Sequence, residues 1–351
     1  MAEWIESLLL GFVQGVTEFL PISSDGHLVL TQQIFARLTG KERSADENLF
    51  FDVMLHLGTL AAIVIYYRAV VRTGVKGLLG SEDVPPSYRR GAVIRVGFLA
   101  AVATSPLVPL ALFFLKWIKR AFDSMAATGV GFLITAAVLL LTAFLQRRGE
   151  GGKGPAETTW LDALLIGLAQ MFAPLPGVSR SGLTVAAALG LGFSRAWAVG
   201  FSLLIAVPAI LGAVVKELKD VNPAVMTADR VSQTVAATVL AGLVGYGAII
   251  WLVKIVRSGR MWYFSVYLIL LGLAILAVVT AGGGPNNGSR TNAARGTLRG
   301  GGDHPVAAAH DLAARPGRPL DRPDASGRGA VADLAGEQDL RGELPARLVL
   351  D

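Results

Sequence analysis

Long apolar segments recur along the chain, and most of the charged residues lie between them. A helix needs about 20 residues to cross the hydrocarbon core of a bilayer. Segments of about this length are 50–67, 96–115, 124–145, 196–215, 231–253 and 262–281. The pattern therefore predicts an all-α polytopic membrane protein with about six full transmembrane helices.

Two further apolar segments are interrupted by proline, serine and glycine. Residues 14–27 read QGVTEFLPISSDGH, and residues 170–182 read QMFAPLPGVSRSG. Proline breaks a helix, and irregular backbone at membrane depth is tolerated only inside protein or beside a wet cavity. We therefore predict two re-entrant helical hairpins. In each, an apolar helix of about a dozen residues, too short to span, precedes a short helix over 27–38 or 182–191.

The two interrupted segments belong to an internal repeat with an offset of 156 residues. The offset aligns Trp4 with Trp160, Glu6 with Asp162, Leu9 with Leu165, Gly11 with Gly167, Gln14 with Gln170, Ser23 with Ser179, and Gly26 with Gly182. Three predicted spans separate the copies, so the copies enter the membrane from opposite sides. This is an inverted-topology repeat, which gathers polar residues near the midplane. We expect halves of about 1–145 and 157–282, with the hairpin tips facing each other.

Composition supports a membrane protein and locates its charge. The chain is 53% hydrophobic and 17% charged, whereas soluble domains carry about 25% charged residues. The net charge of +6 comes from basic residues that flank the apolar segments, so these loops are predicted to be cytoplasmic and no nucleic-acid partner is expected. The basic residues are Arg68, Arg72, Lys76, Arg89, Arg90, Arg95, Arg147, Arg148, Lys153, Lys254, Arg257 and Arg260.

The two ends of the chain and its lack of cysteine narrow the expectations further. Glu3 and Glu6 stand where a cleavable signal peptide would carry basic residues, so none is expected. Residues 283–351 contain no Phe, Trp, Tyr, Ile, Met or Lys, and such a segment cannot bury enough apolar surface to order itself. We predict one membrane domain, 1–282, and a disordered low-complexity tail, 283–351. Whether the tail is genuine or comes from a shifted reading frame is open. The absence of cysteine excludes thiolate chemistry.

Glu18 is the carboxylate that the pattern places inside the first hairpin. Gln14 lies four residues before it, on the same face of the predicted helix. An ionisable group at membrane depth is costly and is by default a functional-site candidate. The structural alternative is that Glu18 caps free N–H groups at the break over 23–26.

Ser23, Ser24 and His27 follow that break. If a helix begins near Ser24, this serine is at its N-cap and His27 lies one turn further on the same side. A neutral imidazole can act as a general base, and a serine within its reach as a nucleophile. An ordinary capping serine, with a histidine bonded to a carbonyl, remains the alternative.

The stretch PGVSRSGLT, residues 176–184, has the features of an anion site. Gly177 permits a tight turn just before a predicted helix begins. The side-chain donors that follow are Ser179, Arg180, Ser181 and Thr184. Free N–H groups, the helix dipole and a guanidinium together bind phosphate. Arg180 could instead pair with Glu18, and both interpretations hold if substrate displaces the acid.

Other polar residues add less to the prediction. Asp52 and His56 are four residues apart within 50–67 and either line the same cavity or extend to an interface; a supporting role is favoured. Walker, dinucleotide-binding and HExxH motifs do not occur, so nothing in the sequence supports ATP-driven work.

The two polar motifs closely resemble those of the undecaprenyl-diphosphate phosphatase family of the bacitracin-resistance type. That family carries an (E/Q)xxxE motif and a PGxSRSxxT motif, and the likeness covers about 1–282. The matching residues are Gln14 and Glu18, then Phe19-Leu20-Pro21-Ile22-Ser23-Ser24-x-Gly26-His27, and later Pro176-Gly177-x-Ser179-Arg180-Ser181-x-x-Thr184. The KxxxxxxRP signature of other membrane phosphatases is absent.

The resemblance implies a hydrolase that converts undecaprenyl diphosphate to undecaprenyl phosphate and inorganic phosphate, which recycles the lipid carrier for cell-wall synthesis. It implies a divalent cation, Mg²⁺ or Ca²⁺, and a place in the bacterial inner membrane with the site open to the periplasmic or outer face. It also implies bacitracin resistance, because bacitracin binds the lipid substrate and so competes indirectly. A homodimer is one assembly that the sequence leaves open.

By position, Glu18 and Gln14 coincide with the family's essential acidic pair. The residues at its other active positions are His27, Ser24, Ser179, Arg180 and Thr184. Two departures from the family pattern stand out. Gln14 occupies a position that is Glu in many members, so metal binding by Gln14 and Glu18 depends more on Glu18. Asp25 replaces a residue that is more often small and hydroxylated, and it adds a negative charge near the phosphate.

These observations give a mechanistic hypothesis and a rival. We expect catalytic roles for Glu18, His27, Ser24 and Arg180, and substrate binding by Gln14, Ser23, Gly177, Ser179, Ser181 and Thr184. Either Ser24 or a water attacks the terminal phosphorus while His27 takes or relays the proton; the sequence does not separate the two attackers. The rival is a membrane transporter or polyprenyl-phosphate flippase, because inverted repeats with broken helices are also a transporter design.

Overall fold

The structure is a computed structural model that describes residues 2–40, 45–122, 124–145, 152–217, 219 and 227–281. The described residues form α-helices joined by short turns, and a short 3₁₀ turn spans Pro86–Tyr88. The helices are α1 (Ala2–Phe19), α2 (Ser24–Thr39), α3 (Ala45–Tyr66), α4 (Arg68–Leu78), α5 (Arg90–Thr104), α6 (Leu107–Phe113), α7 (Leu115–Phe122), α8 (Met125–Leu145), α9 (Trp160–Gln170), α10 (Arg180–Gly190), α11 (Arg195–Glu217), α12 (Ala228–Arg257) and α13 (Tyr263–Ala281).

The predicted all-α polytopic class is confirmed. In the part of the chain that the structure describes, five helices are long and apolar enough to cross a membrane, and a bent pair brings the number to six. The five are Arg90–Leu110, Met125–Ala143, Arg195–Lys216, Ala228–Arg257 and Tyr263–Ala281. The bent pair is Phe50–Tyr66 with Arg68–Leu78, at an angle of 73°. The span predicted over 96–115 begins six residues earlier, because apolar residues also follow Arg90, and it is interrupted between the end of α5 at Thr104 and the start of α6 at Leu107.

The two interrupted segments form the helix pairs α1–α2 and α9–α10. Ser23 and Ser179, which the repeat aligns, are the N-caps of α2 and α10. Each serine hydroxyl accepts a hydrogen bond from a backbone N–H three residues on, that of Gly26 or Gly182. The first pair is longer than predicted, since α1 has 18 residues and α2 begins at Ser24.

The packing of the helices repeats between the two halves of the chain. Helix α1 packs on α12, and its repeat counterpart α9 packs on α5. Likewise α3 packs on α12 while α11 packs on α5, and the pairs α3–α11 and α8–α13 join the two halves. Exchanging the halves therefore reproduces the main contacts. This is the expected result of an inverted repeat in which three membrane-crossing segments separate the copies.

Glycine allows close helix crossings at equivalent positions of the two copies. A Cβ atom on Gly11 would lie 2.5 Å from the carbonyl oxygen of Ala237 on α12. A Cβ atom on Gly167 would lie even closer to the carbonyl oxygen of Ala103 on α5. Small residues of this kind let membrane helices approach each other closely. The backbones of α12 and α5 thus fix where the two hairpins sit.

We predict that Gly167→Ala destabilises the protein by about 1–3 kcal/mol, the usual cost of overpacking a filled interface. Gly97→Ala in α5 is the matched control, because a Cβ atom there has no neighbour within 4 Å. Thermal unfolding in one detergent should show a lower midpoint for Gly167→Ala and no decrease for Gly97→Ala. Equal midpoints for the two variants would contradict the assigned crossing.

The start of the second hairpin is held by polar contacts. The Lys153 ammonium lies 2.9 Å from Asp162 Oδ1, and Asp162 also accepts from the backbone N–H of Thr159. Arg95 donates to the carbonyl oxygens of Pro155 and Thr158. These contacts tie the residues before α9 to the first turns of α9 and α5. Arg147, Arg148 and the predicted tail 283–351 lie outside the described residues, so the tail remains a prediction.

Candidate active site

The breaks of the two hairpins meet inside the protein. The Ser181 hydroxyl at the start of α10 donates to the carbonyl oxygen of Leu20, at 3.1 Å. A Cβ atom on Gly26 would lie 2.9 Å from the Cα atom of Gly177, so the two breaks are in direct contact. The end of α1 and the beginning of α10 are thereby brought together, and these helices carry Glu18 and Arg180.

The break before α10 is fixed to the membrane-crossing helix α8. Thr135 Oγ1 donates to the Gly177 carbonyl oxygen at 2.9 Å and accepts from the Ser179 N–H at 3.0 Å. Gly177 has a φ of 84°, a conformation that glycine adopts without strain, and an added Cβ would collide with the Thr128 carbonyl. The first break includes Ser23, whose φ is 71°. Both breaks are held in conformations that unbroken helices do not contain.

Glu18 is the centre of the cluster, and its two oxygens have different partners. Arg180 Nη2 lies 2.7 Å from Glu18 Oε1. Glu18 Oε2 accepts from Gln14 Nε2 at 3.0 Å and from Ser24 Oγ at 2.8 Å. The Glu18 side chain is 5% exposed. A buried carboxylate is stable here because each of its oxygens is paired with a donor.

The cluster is partly accessible. The side chains of Arg180 and His56 are 16% and 25% exposed, and both are more accessible than Glu18. His56 Nε2 is 3.7 Å from Glu18 Oε2, while His56 Nδ1 lies 2.7 Å from the Asp52 carbonyl oxygen. Asp25 is close enough to interact electrostatically with Glu18, Arg180 and His56. Arg180 and His56 are thus partly accessible members of the cluster, whereas Glu18 is buried.

His27 and Ser24 are hydrogen-bonded to other groups, not as the base and nucleophile of the first interpretation, and the alternative of a histidine bonded to a carbonyl is observed. Its Nδ1 is 2.7 Å from the Ser23 carbonyl oxygen, and its Nε2 is 2.7 Å from the Tyr267 hydroxyl. The Ser24 hydroxyl donates to Glu18 instead. A carbonyl only accepts, so the Nδ1 of His27 carries a proton and the ring is held by α13 and by its own helix turn. The structure thus pairs Ser24 with an acid.

Several predicted binding residues form internal hydrogen bonds. Ser23 and Ser179 cap helices, as described above. Ser181 Oγ also lies 3.2 Å from Ser179 Oγ, and Thr184 Oγ1 donates to the Arg180 carbonyl oxygen and lies 2.6 Å from Ser202 Oγ. These four hydroxyls are buried. Ser179, Ser181 and Thr184 shape the start of α10, which carries Arg180, and Ser23 caps α2; Ser24 and Arg180 remain partly accessible.

Sequence reasoning missed two residues of the site, Tyr267 and Thr135. Tyr267 bonds to His27 from 240 positions away, and Thr135 fixes the second break from α8. The available signal was weak: each is a polar group within an apolar span, and such groups normally find a hydrogen-bond partner. Nothing in the spacing identifies which partner.

The donor set near Glu18 suits a hard cation. Gln14 Oε1 is buried and has no hydrogen-bond partner among the described residues, although its amide nitrogen contacts Glu18. Mg²⁺ and Ca²⁺ prefer oxygen ligands, and Mg²⁺ is often bound by one or two carboxylates plus substrate phosphates. The described residues contain no group of three or more His, Cys, Asp or Glu that could hold a metal. A cation here would therefore need oxygens of a bound phosphate as well.

The fold is that of a polytopic membrane protein of inverted-repeat architecture, and its two breaks bring Glu18 and Arg180 into contact inside the protein. The chain belongs to the family of the bacitracin resistance protein BacA, whose family model matches residues 7–274. The resemblance found in the motifs is thereby confirmed.

The match to curated relatives covers nearly the whole length of each relative. The chain is 38% identical over 280 residues to the undecaprenyl-diphosphatase of Carboxydothermus hydrogenoformans, a match that covers 79% of this chain and 98% of that relative. It is 38% identical over 277 residues to the undecaprenyl-diphosphatase of Desulfosudis oleivorans, with coverage of 77% and 96%. It is 33% identical over 285 residues to that of Mycolicibacterium smegmatis, with coverage of 80% and 98%.

Proposed function

We propose that the protein is an undecaprenyl-diphosphatase, which hydrolyses undecaprenyl diphosphate to undecaprenyl phosphate and inorganic phosphate. The observation that carries the proposal is the contact of 2.7 Å between Arg180 and Glu18, one from each hairpin, beside the accessible Ser24. The family and the names of the curated relatives support the same reaction. A guanidinium can stabilise the charge of a transferring phosphoryl group, and an acid beside a hydroxyl can orient or deprotonate the attacking group.

The lipid and its headgroup occupy different environments in this proposal. The polyprenyl chain lies in hydrocarbon between helices, and the diphosphate reaches the space between the hairpin breaks. Arg180 binds oxygens of the terminal phosphate, supported by the N–H groups that begin α10. Glu18 gives up its contact with Arg180 when the phosphate arrives. Most of the catalysis is then positioning and neutralisation of charge.

Ser24 and a water are the two candidate attackers. In the first case the Ser24 oxygen forms a bond to the terminal phosphorus, and its proton passes to Glu18 Oε2, to which it already donates. The anhydride P–O bond breaks, undecaprenyl phosphate leaves, and water hydrolyses the phosphoserine to orthophosphate. In the second case Ser24 and Glu18 orient a water that attacks directly. His27 acts in both cases by holding Ser23 and the turn before α2 in place.

The proposed reaction uses a divalent cation. Glu18 and Gln14 Oε1 would hold it, together with oxygens of the diphosphate, and Asp25 is near enough to contribute charge. A bound Mg²⁺ or Ca²⁺ would offset the negative charge of the diphosphate and of the leaving phosphate.

The cellular role follows from the reaction. Removing the terminal phosphate regenerates the lipid carrier for cell-wall precursors. It also removes the diphosphate form to which bacitracin binds, so an abundant enzyme confers resistance. The basic segment 68–95 lies on the cytoplasmic side under the positive-inside rule, so the span 50–67 runs inward and the first hairpin enters from the outer face. The site therefore opens to the periplasmic or outer face of the inner membrane.

Phosphate release by the purified full chain in detergent tests the reaction. The expected result is release from undecaprenyl diphosphate that stops with a chelator and returns when Mg²⁺ or Ca²⁺ is added. No transmembrane gradient exists in detergent, so a transporter or flippase without hydrolytic activity would release nothing. That outcome would reject the proposal.

We predict that Ser24→Ala distinguishes the two attackers. If Ser24 is the nucleophile, the substitution lowers turnover by about 10³-fold or more, because the covalent route is removed. If an oriented water is the attacker, turnover stays within about 10²-fold of wild type, because only one hydrogen bond to that water is lost. Single-turnover assays with ³²P-labelled substrate measure both outcomes, and acid-stable label on residue 24 in the wild-type protein identifies the serine.

A further inference from the structure

Helix α4 is sharply bent away from the axis of the transmembrane span that precedes it. The axes of Phe50–Tyr66 and Arg68–Leu78 differ by 73°, and the chain turns at Tyr67. A helix that continues a transmembrane span at such an angle lies close to the membrane plane. With 11 residues, α4 is about 16 Å long.

The residues of α4 separate into faces. Arg68, Arg72 and Lys76 are spaced by four and lie along one exposed stripe. Val71 and Val75 form an adjacent exposed stripe, and the fractions of their surfaces that are accessible are 46% and 50%. An apolar stripe beside a basic stripe is the pattern of helices that lie in the interface of a bilayer.

The third face of α4 is occupied by the protein. Gly77 is buried, and an added Cβ atom there would collide with the carbonyl oxygen of Tyr88 in the 3₁₀ turn. Helix α4 also packs on α5. These contacts orient the helix about its axis, so the valine stripe faces outward. No part of the described chain covers it.

The charge of this region favours an acidic partner. Residues 68–90 contain five basic residues and two acidic ones, Glu82 and Asp83. Arg89 and Arg90, at the start of α5, are exposed on the same connection. No carboxylate among the described residues forms an ion pair with Arg72 or Lys76. Each cation near an acidic bilayer surface strengthens binding about five-fold.

We propose that α4 is a membrane-surface helix that binds acidic phospholipid headgroups of the adjoining leaflet. Arg68, Arg72 and Lys76 contact the headgroups, while Val71 and Val75 enter the edge of the hydrocarbon. The occupant of the exposed face is thus the bilayer itself. This inference is independent of the proposed enzymatic function.

Site-directed spin labelling tests the proposal, because the chain contains no cysteine and a single introduced one reports on one position. A nitroxide at Val75→Cys is compared with one at Glu82→Cys, in the loop after α4. Both are measured in nanodiscs of phosphatidylcholine, with and without phosphatidylglycerol. Relaxation by lipid-soluble oxygen and by a water-soluble nickel complex gives the depth of each label.

The expected result is a Val75→Cys label that oxygen reaches better than nickel, more so with phosphatidylglycerol, and a Glu82→Cys label with the opposite preference. Adding Arg68→Gln, Arg72→Gln and Lys76→Gln should remove the phosphatidylglycerol dependence of the label depth. The loss of three charges weakens the binding of α4 to acidic headgroups on the order of 100-fold. An unchanged midpoint of thermal unfolding in detergent serves as the folding control for that variant.

Two outcomes would overturn the proposal. A Val75→Cys label that nickel reaches freely in both lipid mixtures places α4 in water. A label that neither reagent reaches places the stripe under another protein chain. Both readings come from the single-cysteine protein, so the conclusion does not depend on the charge variants being folded.

Discussion

Arg180→Ala will lower kcat/KM for phosphate release by about 10³-fold or more, while the protein still inserts into the membrane. The magnitude follows from the role of arginine in phosphoryl transfer, where one guanidinium stabilises transition-state charge by comparable factors. Arg180 is the accessible cation of the site and lies 2.7 Å from the acid that holds it at rest. Initial-rate assays with matched amounts of folded protein measure the loss.

Two variants are matched controls for Arg180→Ala. Arg180→Lys keeps the charge but not the planar pair of donors, so an intermediate loss is expected. Arg90→Ala removes an exposed arginine at the start of another helix and should leave the rate unchanged. If Arg180→Ala retains more than about a tenth of wild-type activity, Arg180 does not bind the reacting phosphate.

Glu18→Gln will lower kcat by about 10²–10⁴-fold, the range typical of removing a general base. Glutamine has nearly the same shape, and its amide oxygen can still accept from Ser24 and Gln14. What is lost is the negative charge that takes a proton and binds a cation. Activity should therefore fall without unfolding, and the dependence of the remaining rate on Mg²⁺ should weaken.

The double variant Glu18→Gln/Arg180→Ala separates stability from catalysis. Arg180→Ala alone leaves a buried carboxylate without its cation, and removing one partner of a buried pair is often costly by about 3–5 kcal/mol. Removing the charge of Glu18 as well should recover part of the thermal stability but none of the activity. Recovery of activity in the double variant would show that the single variants fail by misfolding.

The fold could be predicted from the sequence because its determinants are local. Segments such as 262–281 are apolar along their whole length, and proline and glycine mark the breaks. The repeat then fixed the topology, since Gly11 and Gly167 make equivalent crossings. The span 50–67 ends where it was predicted to end, but the helix that continues from it at 73° was not predicted; packing of Gly77 against the 3₁₀ turn accompanies the bend.

For the site, the sequence predicted which residues take part but not which of them contact each other. Glu18 and Arg180 were candidates because ionisable groups are rare in apolar segments. Which donor each acceptor chooses depends on distances set by tertiary packing. Ser24 and His27 are three residues apart, yet Ser24 bonds to Glu18, and His27 bonds to Tyr267.

The resting contact between Glu18 and Arg180 has a consequence for turnover. In the proposed mechanism, orthophosphate left in the site competes with this carboxylate for the guanidinium that the carboxylate contacts at rest. Because the carboxylate is tethered to the protein, it is always present at high effective concentration and displaces a small, weakly held anion. Under the proposed mechanism, this internal competitor would speed the departure of phosphate and limit product inhibition.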